Sequence, residues 1–204
     1  MEIKIAIQGI QGSFHHQVAH RYFGGAIGLD ECVTFRDVAN SLKNNQSDKA
    51  IMAIENSIAG AILPNYALID SYDLHIIGEH FLDIHMNLMV LPGQTIVDIK
   101  EVHSHPIALL QCANFFSQYP HIKLVESSDT AITAKRIQEN QLKGIGALAG
   151  PVASEIYNLE IIADGIHTVK SNKTRFVVLK ASNKEIAKEL INKASIKFEL
   201  DDTP

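Results

Sequence analysis

Apolar and polar residues fall in blocks along the chain, and the blocks recur in one order. A short apolar run is followed by a junction of small or hydroxyl residues and then by a stretch with helical spacing. Residues 3–7 (Ile-Lys-Ile-Ala-Ile) read as a strand leading into Gln8-Gly9-Ile10-Gln11-Gly12-Ser13. Phe14, Val18 and Tyr22 then recur on one helical face, with Ser13 as the expected N-cap and Gly24-Gly25 as the stop. Residues 32–35 read as a second strand, Asp37 as the cap of a helix to about residue 44, and 49–54 as a buried third strand. That strand runs into Glu55-Asn56-Ser57, then Gly60 and a helix over 64–71 with Pro64 in its first turn, where a missing N–H costs nothing.

Residues 75–85 and 86–91 form two extended runs closed by Pro92-Gly93. The rhythm resumes with a strand at 101–103, the junction Ser104-His105-Pro106 and a helix over 107–119 that carries Gln111 in its early turns. It repeats at 122–125 with a helix over 131–139, and at 144–148 with Gly150-Pro151 and a helix over 152–157. A short strand at 159–163 and a loop lead to Asn172-Lys173-Thr174-Arg175-Phe176 and the apolar residues 177–179. This alternation predicts an α/β architecture with mixed, mostly parallel sheets. The extended segments near 76–91 and 159–179 suit two crossovers between lobes: 1–78 plus 168–181 in the first, 79–167 in the second, with the ligand in the cleft between them. In open α/β sheets ligands bind beyond the carboxyl ends of strands, which is where Glu55, Asn56 and Ser57 fall.

Composition narrows the classes of partner. The 204 residues carry 18 basic and 23 acidic side chains, a net charge of −5, with no Lys/Arg block. Nucleic acid and anionic membrane are therefore excluded as default partners, and no run of about 18 apolar residues crosses a membrane. An anionic ligand would be held by local donors, and several helix N-termini meeting at one cleft could supply them. The chain enters its first strand without a secretory leader, and Cys32 and Cys112 lack paired spacing, so reduced thiols in the cytoplasm are expected. His15-His16 and His103-Ser104-His105 have no Asp, Glu or Cys partner at ligand spacing, and no Gly-x-Ser-x-Gly elbow accompanies Ser57, Ser104 or Ser128. Neither a metal nor a cofactor is expected. On their own, Asn56 and Ser57 also suit a turn cap, and Asn-x-Thr-Arg-Phe an ordinary edge strand.

Taken in order, these blocks resemble the prephenate dehydratases: Gly9-x-x-Gly12-Ser13-Phe14, Ile54-Glu55-Asn56-Ser57 with Gly60, Ser104-His105-Pro106 with Gln111-Cys112, Thr130-Ala131 with Ala134, Gly146-Ala147 through Tyr157-Asn158-Leu159, and Asn172-Lys173-Thr174-Arg175-Phe176. The resemblance spans about residues 3–180 and implies a two-lobed fold like the type II periplasmic binding proteins. It implies conversion of prephenate to phenylpyruvate, carbon dioxide and water in phenylalanine biosynthesis. Thr174 would then be catalytic, and Glu55, Asn56, Ser57, Ser104, Gln111, Thr130, Arg175 and Phe176 would line the substrate pocket. A hydroxyl at 174 could give a proton to the leaving oxygen, a guanidinium at 175 could clamp a carboxylate, and neutral amides could hold hydroxyl and keto groups. A regular strand places Thr174 and Arg175 on opposite faces, so either the segment bends before the strand or one of the two supports the site without touching substrate, and Thr174 is the one expected to touch.

His15-His16 stand where the family more often has small polar or acidic residues, and Asp129 where Ser is usual. Residues 182–204 read as a linker and the first strand of an ACT domain, which in the family binds phenylalanine. The chain stops at Pro204, short of such a domain, so insensitivity to phenylalanine is expected, with the effector site in the missing ACT region. A homodimer or homotetramer is also implied. The alternatives are an arogenate dehydratase and a non-catalytic module of the same fold that captures a small carboxylate.

Overall fold

The computed structural model describes residues 2–181, 191–194, 196 and 198. The expected linker and opening ACT strand therefore lie largely outside the described residues. Strand β1 (Ile3–Gln8) leads to helix α1 (Phe14–Phe23), whose N-cap is Ser13, as its spacing predicts. Strand β2 (Ile27–Cys32) lies earlier than expected, and residues 33–35 do not continue it. The reason is local: Thr34 and Asp37 form a reciprocal capping box, so α2 (Phe35–Lys43) starts where the apolar pattern suggested a strand.

Next come β3 (Lys49–Asn56), the short β4 (Gly60–Ala61), α3 (Leu63–Ser71), β5 (His75–Asp83) and β6 (Asn87–Val90). They are followed by β7 (Glu101–Ser104), α4 (Pro106–Gln111), α5 (Ala113–Phe116), β8 (Lys123–Glu126) and α6 (Thr130–Asn140). Among the described residues the last elements are β9 (Ile145–Ala149), α7 (Pro151–Ile156), β10 (Glu160–Ala163) and β11 (Lys173–Lys180). The single helix expected over 107–119 is broken at Cys112, which puts Gln111 at the end of α4. The Gln111 carbonyl accepts from Thr168 N at 2.8 Å, so it joins the returning chain instead of another helical turn.

These strands build two sheets, ordered β2-β1-β3-β11-β5 with β4 beside β3, and β10-β6-β9-β7-β8. Pairing is parallel among β1, β2 and β3 and among β7, β8 and β9. It is antiparallel where β11 lies between β3 and β5, and where β6 meets β9 and β10. Parallel pairing is thus less dominant than the rhythm suggests, because the strands that leave and re-enter the first sheet pair with each other. Period-2 alternation divides the cores. Ala50, Met52 and Ile54 of β3 face Val38, Ala39 and Leu42 of α2, while Ile51 and Ala53 face Val18 and Ala19 of α1. The second cluster face continues through Leu82, Ile84 and Met86 into Leu88, Val102 and Leu148 of the other sheet, so one apolar core spans the junction.

Candidate active site

Two crossings run side by side between the sheets. Ile84 N donates to Asn172 O, and Ile166 N to Met86 O, each at 2.8 Å. Where the returning crossing enters β11, antiparallel register sets Thr174 opposite Asn56 on one side and Leu82 on the other. The backbone N–H groups of Ile58 and Ala59 both donate to Asn56 Oδ1 at 3.0 Å. Only an oxygen can accept them, so the orientation of this carboxamide is fixed by main chain. Its Nδ2 then donates to Thr174 Oγ1 at 2.9 Å and to Asn172 Oδ1 at 2.7 Å. Asn172 Nδ2 in turn donates to Gln111 Oε1 at 3.0 Å.

The direction of every bond in this chain follows from the one before it. Two hydrogen-bonding groups remain unspent at its ends. Thr174 Oγ1 already accepts, and among the described residues its O–H has no acceptor; the side chain is 8% exposed. Gln111 Nε2 likewise has no protein partner among the described residues. Ser57 secures the strap: its Oγ accepts from Lys173 N at 2.9 Å and donates to Ser171 O at 3.0 Å. The assembly contains a hydroxyl and three carboxamides and no charge.

The other expected pocket residues fall elsewhere. Arg175 projects from the opposite face of β11, where its Nε and Nη2 meet Glu79 Oε2 at 2.9 and 2.8 Å, and its Nη1 lies 3.7 Å from Glu55. Contacts from Lys193 and then Arg175 hold the Glu79 carboxyl below its ordinary range. Glu55 and Arg175 therefore pair with each other's face, away from the Thr174 side. Phe176 is a core residue, 2% exposed, with its ring edge-on to His15 at 5.0 Å. Ser104 is 0% exposed, and its hydroxyl donates to Leu148 O at 2.7 Å, tying β7 to β9. Thr130 opens α6 beside its cap Asp129, whose Oδ1 accepts from Ala131 N at 2.7 Å, and makes none of the bonds of the Asn56–Asn172 chain. The structure thus brings together Asn56, Gln111 and Thr174, with Ser57 holding the strap. The residue that joins them, Asn172, was legible from sequence only as the first position of the 172–176 block, with no role of its own in the site.

Backbone N–H groups of the loop at residues 9–12 are spent within the protein, Gly9 N on Cys32 O, Gln11 N on Glu31 Oε1 and Gly12 N on His16 Nδ1. Gly9 and Gly12 have φ of +96° and +88°; a Cβ on Gly9 would lie 3.0 Å from Asp129 Oδ2, and one on Gly12 3.1 Å from Tyr157. Tyr157 also donates its hydroxyl to Gln11 O at 2.6 Å, so the loop of the first sheet is seated on helices of the second. Burial raises the Asp129 carboxyl above its ordinary range. His16 Nδ1 accepts from Gly12 N at 3.1 Å, and burial followed by the charge of His20 draws its pKa down to about 4. His103 sits between Glu101 and Arg136 at 2.8 and 2.7 Å, and His105 caps α4. Among the described residues no group of three or more His, Cys, Asp or Glu could hold a metal, and no helix is long and apolar enough to cross a membrane. Cys32 and Cys112 are buried and unpaired, and burial lifts their thiols to about 11 and about 12.

Two mixed sheets, a double crossing and an uncharged hydroxyl–amide chain at the junction define an α/β protein with a candidate ligand site where its sheets meet. The fold is shared with a solved prephenate dehydratase from Arthrobacter aurescens in complex with L-Phe, at a TM-score of 0.79 and 25% identity over 87% of this chain and 60% of that one. The family model for prephenate dehydratase matches residues 5–184, and the chain belongs to that family. A bifunctional chorismate mutase/prephenate dehydratase of Buchnera aphidicola subsp. Acyrthosiphon pisum is 34% identical over 93% of this chain and 50% of its own length. An Arabidopsis thaliana chloroplastic arogenate dehydratase/prephenate dehydratase is 33% identical over 100% of the chain and 51% of its own length. The chain spans about half the length of these curated relatives.

Proposed function

We propose that this chain converts prephenate to phenylpyruvate by decarboxylating dehydration, with Thr174 as the proton donor. Family membership supports the reaction class. The observation that carries the residue assignment is the direction of the hydrogen bond from Asn56 Nδ2 to Thr174 Oγ1. Because the oxygen is used as an acceptor, the hydroxyl hydrogen is the atom left for a ligand. In the reaction the ring carboxylate departs as carbon dioxide, its electron pair enters the ring, and the opposite carbon releases hydroxide. That hydroxide takes the Thr174 proton and leaves as water, and solvent returns a proton to Thr174. The uncharged carboxamides of Asn56, Asn172 and Gln111 suit this chemistry, since a cation beside the departing carboxylate would stabilise the ground state more than the transition state.

Arg175 fits a supporting role in this reading, because Glu79 and Glu55 occupy its guanidinium on the far face of β11. The keto substrate is favoured over the amino acid arogenate because the hydroxyl–amide chain contains no carboxylate to meet an ammonium group, and Glu55 pairs with Arg175. We further propose that the sheets are the cores of two lobes, 1–78 plus 168–181 and 79–167, closing on substrate as a homo-oligomer in a reducing compartment. The test is to supply prephenate and follow phenylpyruvate by its absorbance in alkali, with arogenate assayed in parallel for phenylalanine. Thr174→Ala should lose about 10²- to 10⁴-fold in kcat, the range of a positioned proton donor, while Thr174→Ser keeps much of the rate. Equal loss in both variants rules out the hydroxyl.

A further inference from the structure

Asn172 is 1% exposed, and its two polar ends face different parts of the molecule. Oδ1 accepts from Asn56 at the end of β3, and Nδ2 donates to Gln111 at the end of α4. Its main chain holds it at that point, with the carbonyl accepting from Ile84 N at 2.8 Å. Gln111 is fixed from the same side, since its carbonyl accepts from Thr168 N at 2.8 Å. A carboxamide has no intrinsic preference for which end it presents, and only its hydrogen-bond partners decide. Here the decision starts at the N–H groups of Ile58 and Ala59, passes through Asn56 and Asn172, and ends at Gln111.

We infer that Asn172 is a positioning residue that turns Gln111 so that its Nε2 donor, and not its oxygen, is offered to the substrate, and that couples this orientation to the Asn56–Thr174 pair. The inference rests on the reaction proposed above. Every polar atom of prephenate that is not a hydroxyl hydrogen is an acceptor oxygen. A donor at Gln111 therefore binds such a substrate, and an oxygen there repels it. Asn172 itself makes no contact with substrate in this scheme; its effect is exerted through Gln111.

The discriminating change is Asn172→Asp, which keeps the shape and the acceptor but removes the donor. At neutral pH the introduced carboxylate still accepts from Asn56, yet it draws Nε2 of Gln111 toward itself and leaves the amide oxygen facing the ligand. The value of kcat/KM should fall about 10- to 100-fold, the range for a lost hydrogen bond to a charged ligand. Activity should recover relative to wild type as pH falls through the carboxyl pKa, because the protonated acid donates as the amide did. In a Gln111→Ala background the same change should cost less than about 3-fold, since coupled residues do not add. A pH-independent loss, or full multiplication of the two effects, overturns the inference.

A second readout needs no turnover. In N172D the side-chain amide protons of Gln111, followed by ¹⁵N NMR, should shift with titration of the introduced carboxyl and stay unchanged in wild type over the same range. Resonances indifferent to pH in N172D overturn the orientation claim. If wild type fails to consume prephenate while these shifts appear, the reaction is wrong and the positioning stands.

Discussion

His15 offers the sharpest test of how burial shapes this fold. Its ring lies between Phe35, 5.4 Å away, and Phe176, 5.0 Å away and edge-on, and its Nε2 is buried without a partner among the described residues. Burial alone lowers its pKa from 6.5 to about 3. A depressed histidine binds more protons in the unfolded chain than in the folded one, so stability rises with pH through this window. The contribution is fully present above the unfolded value of 6.5 and is lost progressively as pH falls toward about 3. Each pH unit below the unfolded value costs about 1.36 kcal/mol, so about 2 kcal/mol is gone by roughly pH 5. That figure holds wherever the folded pKa lies below about 4.5, because the folded ring is then neutral at that pH. The perturbation is His15→Leu, close in volume and without a titrating group. Urea unfolding of both proteins near pH 7.5 and near pH 5 gives two acid-induced losses. The loss in the variant should be smaller by about 2 kcal/mol, while His16, His80 and His167, whose pKa values are also lowered, act equally in both proteins and cancel. Parallel pH profiles would show that His15 is protonated in the native state, and the argument from its burial would fail.

Three further outcomes follow from the packing. Gly12→Ala forces a φ of +88° on a side-chain-bearing residue and sets its Cβ 3.2 Å from the Ala153 backbone. A cost of about 1–3 kcal/mol, or several degrees in Tm by thermal melting, is expected. Glu79→Gln leaves Arg175 with the exposed Glu55; kcat should fall by much less than in Thr174→Ala, and an equal fall would place Arg175 on the substrate. Thiols raised to about 11 and about 12 hold on the order of 10⁻³ or less thiolate near pH 8, so Cys32 and Cys112 should react with a thiol reagent only after unfolding.

The βα rhythm could be read from the chain wherever apolar runs were continuous, as in β1, β3 and β9. It failed at β2, whose sequence Ile-Gly-Leu-Asp-Glu-Cys mixes small and acidic residues because the strand lies at the sheet edge. Helix α4 was overextended for a different reason. Nothing near Cys112 signals a break, and the carbonyl that ends the helix is claimed by Thr168, far along the chain. Asn56, Gln111 and Thr174 were named as candidates through family resemblance, and their adjacency comes from contacts between residues separated by 61 to 118 positions. The same long-range order decides that Ser104 is spent within its own sheet and that Asn172 links the carboxamides. Local patterns carry no record of either.

The late position of β11 has a consequence for the nascent protein. All five strands of the second sheet lie between residues 87 and 163, whereas the first sheet has an empty slot between β3 and β5 until residues 173–180 emerge. Before that moment β5 has no neighbouring strand at all, and β3 shows an unpaired flank rich in buried-type residues. Synthesis from the N-terminus therefore finishes the internal half first and leaves the opening half waiting, open to pairing with the wrong chain. Release shortly before residue 173 would yield a product with one complete sheet and one sticky one.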